Sequence, residues 1–374
     1  MRIANVEAIP FRIARDLEKA TGSAGSPTLL APGRGDYRWS DAYPALYSVN
    51  IETALIKVTL DTGMVGWGEA QAPLAPEVAC AIVDRLLAPV LIGVAFDGSV
   101  DEIEHLWMQM YSTMRVRGQT GGFMLDAISG VDIALWDLAG KIVGVPVSAL
   151  IWDPKAKVPA YISGLSGSDK AEAARPLAND GFTKFKLFFD GAWAAMLSDV
   201  ESVRNLGLDV AVDALWHLDP NDAPSLDPYS AMWLEAPLPP EDPVAHGELA
   251  RSIATPIALG ESYRTTFEFT PFFREHAMRI VQPDLGRCGI TEGLRIARMA
   301  AAHGLPVVPH VSIAMGPQVA AAIHFAAAVE NCSLLEYNPK VLEAANRFLV
   351  EPLIVKDACY DVSERPGLGI EMRL

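Results

Sequence analysis

Lys184-Phe185-Lys186-Leu187-Phe188-Phe189 is the stretch on which the fold turns. It alternates charged and apolar side chains and ends on two phenylalanines, the pattern of a short strand in protected surroundings. Short apolar, β-rich runs recur on both sides of it, at 158–162 before and at 208–212, 231–234, 256–259, 278–281, 305–308 and 333–335 after. Each is followed by a helix-compatible stretch, the signature of βα units around a parallel sheet. Eight such units predict a closed α/β barrel. A doubly wound open sheet shares the local pattern, but no Gly-x-Gly-x-x-Gly fingerprint follows an early strand, which ranks it well below the barrel.

Upstream, residues 2–10 and 53–60 read as strands, the second closed by the turn Asp61-Thr62-Gly63, and they predict an N-terminal α+β unit. Between them, residues 16–47 carry Gly22, Gly25, Pro27, Pro32, Gly33 and Gly35 with little periodicity, unusual for a passive connection, and suggest a lid. From 123 to 142, Leu125, Ile128, Val131, Leu135 and Leu138 recur at helical spacing and mark a buried helix leading into the second domain. The expected division is 1–122 for the first unit, 123–350 for the barrel and 351–374 for a C-terminal segment.

The chain of 374 residues fits a barrel and a smaller companion. Its 30 basic against 46 acidic residues give a formal charge of −16, which argues against a nucleic-acid or anionic-membrane partner. Cys80, Cys288, Cys332 and Cys359 are scattered without Cys-x-x-Cys spacing, so neither a zinc ribbon nor a disulfide framework is implied. Residues 1–16 lack an apolar signal-like run, and the apolar stretch at 319–329 is short and holds His324. A soluble cytoplasmic protein is the expectation.

The candidate strands run into Lys186, Asp213, Glu235, Glu261, Asp284, His310 and Glu336, with steps of 27, 22, 26, 23, 26 and 26 residues. One charged residue after a strand is commonly a helix cap or a solvated turn. Seven in one phase place them together on the rim where barrels keep their chemistry. Asp213, Glu235 and Glu261 come from successive strands and repel one another unless a cation sits between them. All-oxygen ligation favours Mg²⁺ over zinc; the alternative is a salt-bridge network around the rim.

Lys184 and Lys186 stand two apart on one strand and share a face, roughly 7 Å apart. At an effective dielectric of about 20 their repulsion is about 2.4 kcal/mol, which predicts a depressed lysine pKa and a base. Asp284 beside His310 is placed to orient the imidazole and raise its basicity.

The order Lys-x-Lys, Asp, Glu, Glu, Asp, His, Glu at successive strand ends resembles the enolase superfamily, in its mandelate racemase subgroup. Gly66-Trp67-Gly68-Glu69, Asp132-Ile133-Ala134-Leu135-Trp136-Asp137 and Pro366-Gly367-Leu368-Gly369-Ile370-Glu371 support it, and the likeness spans essentially the whole chain. The resemblance implies a capping α+β domain built from both chain ends over a modified (β/α)₇β, TIM-like barrel. It further implies one Mg²⁺ per subunit on Asp213, Glu235 and Glu261. By the same resemblance, Lys184 and the metal hold the substrate carboxylate, Lys186 is one acid/base, and His310 with Asp284 is the other. Glu336 is then a protonated donor to the enolate. Two departures stand out: Leu215, Trp216 and His217 where the family often has a polar residue after Asp213, and a turn at Gly286 one residue shorter than expected.

Members of the subgroup share enolisation and diverge afterwards. Dehydration of an acid sugar to a 2-keto-3-deoxy acid leads, because Lys186 and His310 can divide proton removal and delivery. Racemisation or epimerisation is the runner-up and cycloisomerisation of a sugar lactone the third; a catalytically silent homologue that binds metal and carboxylate is the reading from another class. His217, Arg264, Arg34, Arg117 and Arg38 are candidate substrate contacts. The partners expected are a small carboxylic acid and, through the resemblance, further copies of the chain.

Overall fold

A computed structural model describes residues 1–14, 35–40, 45–165 and 167–374. Strand β1 (Ile3–Ala14) leads the chain. Strands β2 (Tyr37–Ser40) and β3 (Ala45–Ser48) form a small antiparallel ladder. Strands β4 (Asn50–Leu60) and β5 (Val65–Ala70) complete an antiparallel sheet of order β1-β4-β5. The first strand runs past the expected residue 10 because Phe11 to Ala14 pair with Thr53 to Asn50. Residues 37–40 and 45–47, read as part of an aperiodic lid, are strand; the rest of the expected lid apart from 35–36 lies outside the described residues.

Strand β5 carries two glycines, which disguise it in the sequence, and the structure shows why they are there. The helix Phe123–Val143 packs directly on this strand. A Cβ on Gly68 would stand 1.9 Å from the carbonyl oxygen of Gly130, and one on Gly66 would stand 2.3 Å from that of Ala134. The helix is buried on every side from Met124 to Gly140, as its near-continuous apolar sequence requires.

The barrel begins with β6 (Lys157–Ser163), β7 (Lys184–Phe188), β8 (Asp209–Asp213) and β9 (Leu234–Glu235). It continues with β10 (Ile257–Leu259), β11 (Ile280–Val281) and β12 (Leu335–Tyr337). Consecutive strands from β6 to β11 pair in parallel, and β12 pairs in parallel with β6. The strand expected at 305–308 survives only as the parallel bridges Val281↔Val307 and Val307↔Cys332. Pro306 and Pro309 flank it and lack the N–H groups that a full ladder needs. Below the rim, Tyr161, Ala211, Trp233, Ala258, Val308 and Leu334 fill the interior as one apolar cluster.

After the barrel, β13 (Val355–Lys356) and β14 (Cys359–Asp361) form a hairpin whose second strand lies antiparallel along β6, pairing Cys359 with Pro159 and Asp361 with Lys157. Tyr360 donates its hydroxyl to the backbone oxygen of Glu336 at 2.9 Å. Leu368 N–H donates to Asp137 Oδ1 at 2.8 Å, tying the chain's last turn to the long helix. No helix among the described residues is long and apolar enough to cross a membrane.

Candidate active site

Backbone register sets the height of every side chain at the barrel mouth. In β7, Lys184 pairs with Asp209, Lys186 with Ala211 and Phe188 with Asp213, and Asp213 pairs in turn with Glu235. Alternate residues of a strand share a face, so these three β7 side chains stand at heights roughly 7 Å apart. Phe188 is level with Asp213 and Glu235; Lys186 lies one step deeper.

Lys184 is therefore at the strand's first residue, the end away from the mouth. Its side chain is 39% exposed and 3.8 Å from Asp209, beside a hollow lined by Thr183, Ser333 and Cys359. The expectation that Lys184 holds a substrate carboxylate is corrected: parity along a strand fixes the face, not the height.

Lys186 is fully buried, with Nζ 2.5 Å from Glu235 Oε1, 2.9 Å from Glu336 Oε1 and 3.4 Å from Asp213 Oδ2. Burial pushes its pKa down, but Glu235 and Glu336 outweigh burial and hold it well above the ordinary lysine range. The expected depression is reversed because carboxylates, and not Lys184, surround the amine.

Glu235 is locked in place. Trp233 Nε1 and Gln282 Nε2 donate to its Oε2 at 2.9 and 2.7 Å, which leaves Oε1 for Lys186. Asp213 accepts the backbone N–H of Leu215 at 3.0 Å, and burial followed by repulsion from Glu235 pushes its pKa well above the carboxylate range. Glu261 accepts the indole N–H of Trp216 at 2.6 Å. Trp216 reaches it because Leu215 and Trp216 both take left-handed backbone, φ 50° and 67°. The sequence showed only a departure there; a tryptophan after the strand carries no local sign that its turn is left-handed.

His310 Nδ1 lies 2.7 Å from Asp284 Oδ2, and its Nε2 lies 3.0 Å from Glu261 Oε2 and 3.9 Å from Glu336 Oε2. Burial lowers the imidazole pKa, but Glu336, Glu261 and the bond to Asp284 outweigh it and hold it well above 6.5. The parallel bridge between Asp284 and His310 puts the pair side by side. For Glu336, burial pushes the carboxyl up, yet Lys186 and His310 prevail and hold it below its ordinary value. In this arrangement it accepts from Lys186 and from Val311 N–H, each at 2.9 Å.

Two further residues escaped the sequence reading. Gln318 Nε2 donates to Asp284 Oδ1 at 2.8 Å. Glu69, from β5, accepts the backbone N–H groups of Met315 and Gln318 at 2.6 and 3.1 Å. Glu69 was visible only as part of a motif, and neither partner is near it in sequence.

The candidate substrate contacts fare differently. Arg264 is committed to Asp126, with Nε 2.9 Å from Oδ1 and a second bond of 3.3 Å to Oδ2, so it is a strut between the long helix and the barrel rather than a free anion contact. Arg117 is exposed in the turn after the helix Val100–Arg115. Arg38 donates to the backbone oxygens of Gly35 and Tyr37. His217 lies in the turn after Asp213, its ring 5.3 Å from that of Phe189. Arg34 lies outside the described residues.

Charge at the mouth is unbalanced. Among the described residues, Asp213, Glu235, Glu261, Asp284 and Glu336 converge on two basic groups, Lys186 and His310. Donor atoms of Glu235, Glu261 and His310 lie within 4.8 Å of one another, and Asp213 adjoins them through Lys186. An oxygen-rich set short of positive charge fits a hard divalent cation.

Comparison with known proteins agrees with this arrangement. Residues 169–374 match the family model described as Enolase C-terminal domain-like, and residues 45–152 match that of the mandelate racemase / muconate lactonizing enzyme N-terminal domain. A D-galactarolactone cycloisomerase of Agrobacterium fabrum is 30% identical over 344 residues, covering 85% of this chain and 88% of that protein. An arabinonate dehydratase of Saccharolobus solfataricus is 29% identical, covering 92% and 95%. A crystal structure of a member of the enolase superfamily from Agrobacterium tumefaciens superposes with a TM-score of 0.92 at 29% identity, covering 99% of this chain and 96% of that one.

Proposed function

The chain belongs to the enolase superfamily, in the mandelate racemase and muconate lactonizing enzyme group, and from that premise we propose that it removes the proton α to the carboxylate of an acid sugar, with Mg²⁺ on Asp213, Glu235 and Glu261. The observation that carries this reading is the His310–Asp284 pair: Nδ1 is committed to the carboxylate at 2.7 Å, so Nε2 faces the other rim acids as the reactive atom.

A bound Mg²⁺ supplies positive charge for the substrate carboxylate and for the enediolate that gathers charge there. Lys186, one register step below Asp213 and Glu235 and 2.9 Å from Glu336, would lie beneath the same carboxylate. Glu261 would be one of the residues holding the cation, and His310 Nε2, 3.0 Å from it and with Nδ1 committed to Asp284, is the ring nitrogen that would accept the α-proton. Asp284 keeps the imidazole in the tautomer that exposes Nε2. Loss of the β-hydroxyl as water then gives an enol that tautomerises to a 2-keto-3-deoxy acid.

A second reading, opening of a sugar lactone, is favoured by the 30% identity to a D-galactarolactone cycloisomerase. Elimination from a lactone expels a carboxylate, which departs without a proton and asks less of the rim than expulsion of a hydroxyl.

Both readings share one test. The purified protein is incubated with Mg²⁺ in D₂O against aldonic, aldaric and uronic acids and their lactones and followed by proton NMR. Exchange at an α-carbon that EDTA abolishes supports the reading, and the products separate dehydration from lactone opening. Absence of exchange across the panel, with Mg²⁺ bound, would sink both in favour of a silent binder.

A further inference from the structure

Going round the rim from His310, the next strands present Glu336 on β12, Ser163 on β6 and Phe188 on β7. Phe188 holds the rim-level position, in register with Asp213 and Glu235, on the side of the mouth away from His310. Its ring is half-buried and stacks over the Lys186 ammonium, 5.4 Å from Nζ to the ring centre. A phenyl ring neither takes nor gives a proton. Lys186 itself lies one register step deeper, and its three N–H groups match the three carboxylates within 3.4 Å of it. On the remaining arc stand Asp213, Glu235 and Glu261, the residues assigned to the cation.

Resting on the proposed function, we infer that His310 is the single proton carrier of this rim and works on one face of the substrate. The C2–H bond breaks with its proton passing to His310 Nε2 and its electron pair moving into the carboxylate as an enediolate. As the enediolate collapses, the C2=C3 bond forms and the C3–O bond breaks with its pair. The same Nε2 returns its proton to that oxygen, so water departs and the imidazole is restored. Inversion at C2 needs delivery from the opposite face, where Phe188 stands. Dehydration and lactone opening are therefore within reach of this rim, and racemisation or epimerisation is not.

The test uses wild-type protein with Mg²⁺ in D₂O and pairs of C2-epimeric aldonic and aldaric acids. The expected result is that one member of a pair is consumed, that any recovered acid deuterated at C2 keeps its configuration, and that the other epimer never appears. Interconversion of the epimers, or consumption of both, overturns the single-carrier inference while leaving α-proton abstraction standing. A His310→Asn variant gives a second readout: its exchange rate should fall at least about 1,000-fold. Exchange within tenfold of wild type would assign the proton to another group. No exchange from any acid by the wild type would instead remove the parent reading, and the inference with it.

Discussion

Gln318 donates its side-chain N–H to Asp284 Oδ1 at 2.8 Å, on the oxygen opposite the one that meets His310. The backbone N–H of the same residue donates to Glu69, so one glutamine links the N-terminal sheet to the imidazole–carboxylate pair. Gln318→Leu keeps the volume and deletes the side-chain donor. The α-proton exchange rate should drop about tenfold or more, with Mg²⁺ affinity unchanged by calorimetry. A loss of thermal stability with no loss of rate would reduce Gln318 to packing.

Trp216 aims Glu261 through a single 2.6 Å bond from its indole nitrogen. Trp216→Phe retains an aromatic ring but leaves that carboxylate oxygen without its donor. Mg²⁺ affinity is expected to weaken roughly tenfold, the usual scale for losing a bond that orients a metal ligand. Titration calorimetry measures it directly, and an unchanged dissociation constant would show that Glu261 needs no such support.

Glu69 is fully buried, and burial pushes its carboxyl to about 7 from 4.5, against the opposing bonds from Gln318, Met315 and Thr53. Between those two pH values the folded protein holds a proton that the unfolded chain has released. Stability contributed here is therefore present below about pH 4.5 and lost as pH rises to 7, by about 3 kcal/mol in all. Urea unfolding at pH 5 and pH 8 should show a smaller drop for Glu69→Gln than for wild type. Parallel pH curves for the two proteins would contradict the assignment.

Gly68→Ala should be among the harshest small substitutions at the described residues. The added Cβ would lie 1.9 Å from a helix carbonyl and 2.8 Å from the Ala134 nitrogen, and both neighbours are backbone inside a fully buried helix. A loss of at least about 3 kcal/mol, or insoluble protein, is expected. Wild-type unfolding of this variant would mean that strand and helix can part at little cost.

The barrel and its acidic rim were legible because the signal is repetitive. Asp213, Glu235, Glu261, Asp284, His310 and Glu336 each follow a short apolar run at near-constant spacing, and each reaches the mouth. What the sequence could not carry is height and long-range pairing. Lys184 and Lys186 look equivalent by parity, yet one lies at the far end of β7 and the other among three carboxylates. Arg264 looks free until the fold brings Asp126, 138 positions away, against it. Trp216 becomes visible only once two residues adopt left-handed backbone. The strand around residue 307 read as regular and shrank to isolated bridges between two prolines.

The hairpin that lies along β6 sets a timetable. Asp361 follows its partner Lys157 by 204 positions, so the first barrel strand is synthesised long before one of its edges can be covered. At ordinary elongation rates that wait is roughly 10–40 s. Throughout it the stretch from Lys157 to Pro159 lacks its antiparallel partner and is open to other strands, the kind of surface on which chains aggregate. The newborn protein depends on residues 359–361, or on a chaperone in the meantime, to protect a strand made about 200 residues earlier.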